Sequence, residues 1–197
     1  MKYEITECFI THKGIKLYKI RALKDFSDVK KGDFGGYIED YKNLSNEDNC
    51  WVYENAEVFG DAVVYGNAKV YENARVFGNA RVYENAWVFG NARVYDLSRV
   101  YGDAQVFGNA DVFGGARVYE NAKVYGSARV YDLSRVYVNA QVYDNASVFG
   151  NSKVWCEAQV YGNAQVHDNA SVFGDAEISG YNKVLGNAEV FNNSNVF

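Results

Sequence analysis

The chain has 197 residues, a length that fits one domain or one elongated repeat body. Hydrophobic residues make up 48% of the sequence and charged residues 23%, so the chain can bury a core and is not expected to be disordered throughout. The net charge is −5, which argues against a protein that coats nucleic acid with its whole surface but leaves room for a local basic stripe.

The first 50 residues lack the regular pattern of the rest and are predicted to form a small N-terminal β cap. Residues 2–10 and 15–23 are predicted to be the two strands of a hairpin, joined by a turn at residues 11–14. His12 lies in that predicted turn, where we expect it to be exposed to solvent. A cap is expected because the first turn of a solenoid would otherwise present an unpaired strand edge.

Residues 51–197 are dominated by a six-residue repeat. Every sixth residue from Val52 to Val196 is valine, except for Ile178, over 25 consecutive positions. A small residue, usually alanine, lies two positions before each valine, and an aromatic residue usually follows it. A strand points residues two apart to one face, and Gly-Asn or Glu-Asn supplies a turn after each strand. This periodicity predicts an all-β fold, a parallel β-helix built of hexapeptide repeats.

Motifs near the N-terminus resemble those of a known family. They are Asp-Phe at 25–26, Asp-Val-Lys at 28–30, Gly-Gly at 35–36, Asn-Leu-Ser at 43–45 and Cys-Trp-Val-Tyr at 50–53. Through them the chain resembles YdcK-type proteins, hexapeptide-repeat proteins of bacteria and phages that carry an acyltransferase description. The resemblance implies a left-handed β-helix with three hexapeptides per turn, hence about eight turns, and often a phage or prophage origin. A heptapeptide that recurs at 95–101 and 131–137, two 18-residue turns apart, agrees with this.

The sequence offers few groups for catalysis. Hexapeptide-repeat acyltransferases use a histidine as general base, and that base must reach the attacking group. His167 is the candidate, but it occupies an outward aromatic position between Phe149 and Leu185 in the 18-residue register, which is typical of a member of an aromatic ladder. Cys156 lies at a corner with no evident base. We therefore expect no catalysis, cofactor or metal, and keep an acyltransferase that uses acyl-CoA, with His167 as base, as the alternative.

One outward face of the predicted coil carries a column of cations beside a column of aromatic rings. Stacked like charges repel, although Glu84 and Glu120 at the adjoining corners are candidates to offset the repulsion. We predict a rigid rod that binds a protein partner through this face, with nucleic acid as a weaker alternative and solubility as the simplest one. A phage-encoded inhibitor of a host defence complex is the specific form that the resemblance suggests. The predicted binding residues are Arg81, Arg99, Arg117, Arg135, Lys153, Tyr83, Tyr101, Tyr119, Tyr137 and Trp155.

Two further expectations concern assembly and compartment. The repeat continues to the last residue without a capping segment, which predicts a two-fold homodimer through the C-terminal turns. The residues expected at that interface are Phe191, Asn193, Asn195, Val196 and Phe197. The three cysteines are too widely spaced for a disulfide framework, and no run of about 18 apolar residues predicts a membrane span. We therefore expect a cytoplasmic protein, in the host cytoplasm if it is phage-encoded.

Overall fold

The N-terminal cap is a β-hairpin that leads into a third strand. The computed structural model describes residues 1–192 and the backbone of residues 195 and 196. Strand β1 (Tyr3–His12) pairs antiparallel with β2 (Ile15–Ala22), and β2 pairs antiparallel with β3 (Phe34–Ile38). A short 3-10 helix (Tyr41–Asn43) follows. The structure thus contains an antiparallel hairpin whose turn is residues 13–14, where the sequence predicted a turn at 11–14.

The rest of the described chain is a series of two-residue strands separated by turns. These strands form three parallel sheets, one per face of the coil, and the 11-stranded sheet also includes β1, β2 and β3. The strands are β4 (Trp51–Val52), β5 (Glu57–Val58), β6 (Val63–Val64), β7 (Lys69–Val70), β8 (Arg75–Val76), β9 (Arg81–Val82), β10 (Trp87–Val88), β11 (Arg93–Val94), β12 (Arg99–Val100), β13 (Gln105–Val106), β14 (Asp111–Val112), β15 (Arg117–Val118), β16 (Lys123–Val124), β17 (Arg129–Val130), β18 (Arg135–Val136), β19 (Gln141–Val142), β20 (Ser147–Val148), β21 (Lys153–Val154), β22 (Gln159–Val160), β23 (Gln165–Val166), β24 (Ser171–Val172), β25 (Glu177–Ile178), β26 (Lys183–Val184), β27 (Glu189–Val190) and β28 (Asn195–Val196).

The strand register confirms the parallel β-helix of hexapeptide repeats and the period of 18 residues per turn. Arg99 pairs with Arg117 and Val100 with Val118, and the same offset recurs along all three faces. Backbone amides of one turn donate to carbonyls of the next, as from Tyr101 N to Val118 O at 3.0 Å. Side chains at equivalent positions therefore stack in columns parallel to the coil axis.

The coil has about nine turns, one more than the repeat predicts, because the first turn lies before Val52. Ile38 pairs with Val58, and Leu44 pairs with Val64. Both are fully buried and extend the valine columns. This first turn is 20 residues long at those pairs, since two extra residues lie between Leu44 and Val52. The six-residue pattern starts after this insertion, so the division into residues 1–50 and 51–197 stays a prediction.

Valine and a small residue fill the interior of the coil. The valine positions from Val52 to Ile178 are fully buried, as are the alanines from Ala56 to Ala176. Each buried valine contributes about 1.5–3 kcal/mol relative to an exposed one. The buried serines that replace alanine keep their hydroxyls satisfied, as Ser98 Oγ donates to the Tyr95 carbonyl at 2.8 Å.

Buried polar contacts attach the cap to the first turn. Lys2 is buried, and its Nζ donates to the carbonyls of Cys50 at 2.8 Å and Glu47 at 3.2 Å. Burial lowers the pKa of Lys2. The prediction that His12 is a solvated turn residue is wrong. His12 ends β1, and its half-buried ring lies 3.1 Å from Glu57 Oε2, because the hairpin folds back over the solenoid face.

Candidate functional site: a basic face and its groove

The five predicted cations form one continuous column. They occupy the first positions of β9, β12, β15, β18 and β21, which are consecutive neighbours in the eight-stranded sheet. Neighbouring strands lie about 4.8 Å apart, so the backbone positions that carry these cations repeat along the coil at roughly that distance. Four are exposed and Arg117 is half-buried. The column, called the basic ladder below, comprises Arg81, Arg99, Arg117, Arg135 and Lys153.

The basic ladder has no ion-pair partner among the described residues. Glu84, an expected partner, instead accepts a hydrogen bond from the Gly102 amide at 2.8 Å. The face formed by the 11-stranded sheet differs, because Arg93 Nε donates to Asp111 Oδ1 at 2.7 Å. Arg93 is thus paired within its own face, whereas the basic ladder has no such partner in the described chain and is available to an external anion.

The aromatic column beside the basic ladder is a continuous stack. Ring centroids of successive members from Tyr83 to Trp155 lie 4.9 to 5.7 Å apart, with planes within 12° of parallel. Each inner ring is covered on both faces by its neighbours, so only edges and hydroxyls face outward. Burial against the stack raises the pKa of Tyr119 to about 12. The hydroxyls therefore remain neutral hydrogen-bonding groups at physiological pH.

A groove beside the basic ladder contains residues that the sequence-based prediction missed. It has a volume of about 490 Å³ and is lined by Gly115, Arg117, Leu133, Arg135, Asn151, Lys153 and Asn169. Leu97 and Leu133 lie on this corner column and are 67% and 63% exposed. Gly115 lies between them and opens a notch, since a Cβ there would lie 3.0 Å from Leu133 Cδ2. The sequence feature that could have revealed these leucines is the duplicated heptapeptide, in which leucine replaces the usual corner asparagine.

His167 is part of an aromatic ladder, and it also lies beside a carboxylate. Its ring stacks on Phe149 at 4.8 Å, and Nδ1 lies 3.3 Å from Asp168 Oδ1. A hydrogen bond from the Gly186 amide to Asp168 and the contact with His167 lower the pKa of that carboxyl. The catalytic alternative for His167 stays a prediction.

Three further features bear on function, namely metal ligands, membrane spans and the predicted dimer residues. No group of three or more His, Cys, Asp or Glu side chains in that part of the chain is arranged to hold a metal ion. The structure contains no helix of the length and hydrophobicity needed to cross a membrane within the same residues. Of the predicted dimer residues, Phe191 is exposed. Asn193, Phe197 and the side chains of Asn195 and Val196 lie outside the described residues, so the homodimer stays a prediction.

Comparison with known proteins supports the repeat type. The family model of the YdcK beta solenoid repeat matches residues 74–90. The chain is also 46% identical over 54 residues to a protein of Escherichia coli (strain K12) named uncharacterized acetyltransferase YdcK. That match covers 27% of this chain and 17% of the relative's length.

Proposed function

We propose that this chain, a YdcK-like hexapeptide-repeat protein, is a non-catalytic binding protein whose basic ladder and groove hold an acidic protein partner. The observation that carries the proposal is the absence of any internal ion-pair partner for the basic ladder among the described residues. Cations on neighbouring strands about 4.8 Å apart repel one another in the free protein. An anionic partner relieves that repulsion and gains charge complementarity.

A protein partner fits this face better than a nucleic acid does. Single-stranded nucleic acid is usually held by stacking its bases on aromatic faces, but the inner rings of this column are already covered on both faces. Leu97 and Leu133 add exposed apolar surface beside the arginines. An acidic polypeptide with apolar side chains satisfies both features, because its carboxylates meet the basic ladder while an apolar group enters the notch at Gly115.

The proposal extends to the compartment and the biological role of the protein. The three cysteines, Cys8, Cys50 and Cys156, are unpaired thiols, which favours a reducing cytoplasm. A small rigid rod with one charged binding face suits an inhibitor that blocks a larger assembly. We propose that a phage-encoded inhibitor of a host defence complex is the specific role.

A second candidate function is an acyltransferase that uses acyl-CoA. It is favoured by the relative's name and by the His167–Asp168 contact. Calorimetry with acetyl-CoA at millimolar concentration tests it. Binding of acetyl-CoA, with a transfer activity that is lost in His167→Phe although this variant keeps the aromatic stack, would support the acyltransferase, and no detectable heat would remove it.

The binding proposal is tested with poly-L-glutamate as the anionic polypeptide and a single-stranded DNA of similar charge as the competing probe. Arg99, Arg117 and Arg135 are changed together to Glu. The matched control changes three exposed cations on the other two faces to Glu, namely Lys123, Arg129 and Lys183. We expect poly-L-glutamate binding to weaken at least tenfold in the first variant only. Equal losses in both variants, or tighter binding of the DNA, would overturn the proposal.

A further inference from the structure

A second concave site lies where the cap meets the nine-stranded sheet, on a different face from the basic ladder. It is a cleft of about 240 Å³ lined by Asp28, Tyr53, Glu54, Lys69, Tyr71 and Trp87. Junctions of this kind are common positions for ligand sites. Trp87 occupies an outward column position and is 40% exposed. Its neighbours in that column are Lys69 and Gln105.

The cleft exists because the aromatic ladder is broken at this point. From Tyr71 onward the rings stack nearly parallel, as Tyr71 and Phe89 do at 4.8 Å and 3°. Tyr53 instead stands at 83° to Tyr71, because its hydroxyl donates to Asp28 in the cap at 2.8 Å. Trp87 also stands at 76° to Tyr71. Tyr53 and Trp87 are therefore each nearly perpendicular to Tyr71 rather than stacked on it.

The charge around these rings is negative. Asp28 and Glu54 line the cleft, and Glu72 lies at the corner next to Tyr71. The Glu54 carboxylate accepts the Glu72 amide at 2.9 Å, which fixes it near the rim. Burial and the carboxylates of Glu72 and Glu54 raise the pKa of Tyr71. Lys69 is the one cation among the lining residues.

Lys69 shows how the cleft accommodates a cation of the protein itself. Its Nζ lies 3.0 Å from Asp28 Oδ1 and 5.7 Å from the centre of the Tyr53 ring. An alkylammonium is thus already bound between a carboxylate and an aromatic face. Tyr71 and Trp87 provide further aromatic walls beside it, Glu54 is the other carboxylate on the lining, and no lining cation is paired with these two rings.

We propose that this cleft binds the alkylammonium group of a ligand, a quaternary or methylated amine, against Trp87 and Tyr71. Perpendicular aromatic walls with a nearby carboxylate attract such cations through the ring quadrupole and charge. An anion is disfavoured because the carboxylates around the cleft outnumber Lys69. A neutral sugar could contact the aromatic walls but would not be attracted by the carboxylates at the rim, so it serves as a comparison in the test.

The probe is choline, titrated into the full chain by calorimetry. Its neutral isostere 3,3-dimethylbutan-1-ol has the same shape without the charge, and glucose represents a neutral sugar. We expect choline to bind with the isostere at least tenfold weaker and glucose undetected. In Trp87→Gln, choline binding should fall at least tenfold. Glutamine is tolerated at the next position of this column, Gln105, so the variant should keep the fold, which thermal unfolding verifies.

The control is Lys123→Gln, in the same column but two turns beyond Trp87, which should bind choline like the wild type. Asp28→Asn supplies a second variant and should weaken choline without affecting the isostere. Equal binding of choline and its isostere, tighter binding of glucose, no heat with choline, or unchanged choline binding in folded Trp87→Gln would each overturn the proposal.

Discussion

At the scale of single residues, the corner positions decide how closely successive turns can stack. Gly102 has a φ of +70°, and a Cβ there would lie 2.6 Å from the Glu120 amide nitrogen in the next turn. Gly186 has nearly the same φ, +67°, but a Cβ there would meet nothing within 4 Å. The two glycines separate the effect of backbone conformation from that of crowding.

Alanine substitution should therefore have unequal effects at these two corners. Gly186→Ala carries only the cost of a left-handed residue, roughly 1–2 kcal/mol. Gly102→Ala carries that cost and a further ~1–3 kcal/mol for overpacking against backbone that cannot move independently. Urea denaturation measures both. Equal losses would show that adjacent turns separate easily to admit the methyl group.

Asp28 links the cap to the solenoid and gives that link a pH dependence. Burial alone would raise the pKa of this carboxyl, but hydrogen bonds from Lys69 and Tyr53 outweigh it and lower the pKa to about 2. Since the folded-state pKa lies below the model-peptide value of about 4, the stabilisation is present above pH ~4 and lost as pH falls towards 2.

Asp28→Asn should remove this dependence. The wild type should lose more stability than the variant between pH 4 and 2, and the two denaturation midpoints should converge at the acidic end. Parallel pH curves for the two proteins would show that Asp28 is not specifically stabilised in the folded state.

At the scale of the strand, the basic ladder is expected to lower stability in the free protein. Arg117 lies between Arg99 and Arg135 in register. Like charges directly opposite on neighbouring strands are destabilising, and salt screens such repulsion between exposed groups. A basic ladder that destabilises the free protein is consistent with the proposal that this face binds an anionic partner.

We expect Arg117→Gln to raise the free energy of unfolding by about 0.2–1 kcal/mol at low salt. The gain should shrink in high salt. Arg93→Gln is the matched control, because it removes the hydrogen-bonded partner of the largely buried Asp111 and should lower stability. A stability loss in Arg117→Gln would mean that the ladder is already compensated within the free protein.

The elements that could be predicted from the sequence are those that follow from strict periodicity. Valines six apart required a coil with a constant buried face, and the 18-residue offset placed the basic and aromatic columns correctly. The turn before Val52 was missed because two extra residues between Leu44 and Val52 shift the pattern. His12 was misplaced because a turn motif does not show where the hairpin folds back.

The groove beside the basic ladder and the aromatic cleft could not be predicted from the sequence, because each depends on contacts between residues far apart in the chain. The notch at Gly115 depends on side chains from adjacent turns, although its leucines were visible in the duplicated heptapeptide. The aromatic cleft depends on Asp28, which reaches Tyr53 and Lys69 across 25 and 41 residues. No local pattern encodes a contact between an irregular cap loop and a repeat.

At the scale of the whole molecule, the solenoid separates its surfaces. The basic ladder lies on the eight-stranded sheet, and Trp87 and Lys69 lie on the nine-stranded sheet. Each turn of a solenoid contacts mainly its neighbours, so changes on one face are not expected to rearrange another.

The two sites should therefore be independent. The variant with Arg99, Arg117 and Arg135 changed to Glu should bind choline as the wild type does, and Trp87→Gln should bind poly-L-glutamate as the wild type does. Calorimetry with both probes on both variants measures the coupling. A loss of both activities in either variant would indicate that the substitutions act through the fold.

The most direct test of the central claim is a quantitative pull-down from the natural host, analysed by mass spectrometry. The wild type is compared with the Arg99, Arg117 and Arg135 to Glu variant and with the Lys123, Arg129 and Lys183 to Glu control. We predict that an acidic protein is retained by the wild type and the control but lost from the basic-ladder variant. Retention of the same protein by both triple variants would contradict the assignment of the basic ladder as the binding face.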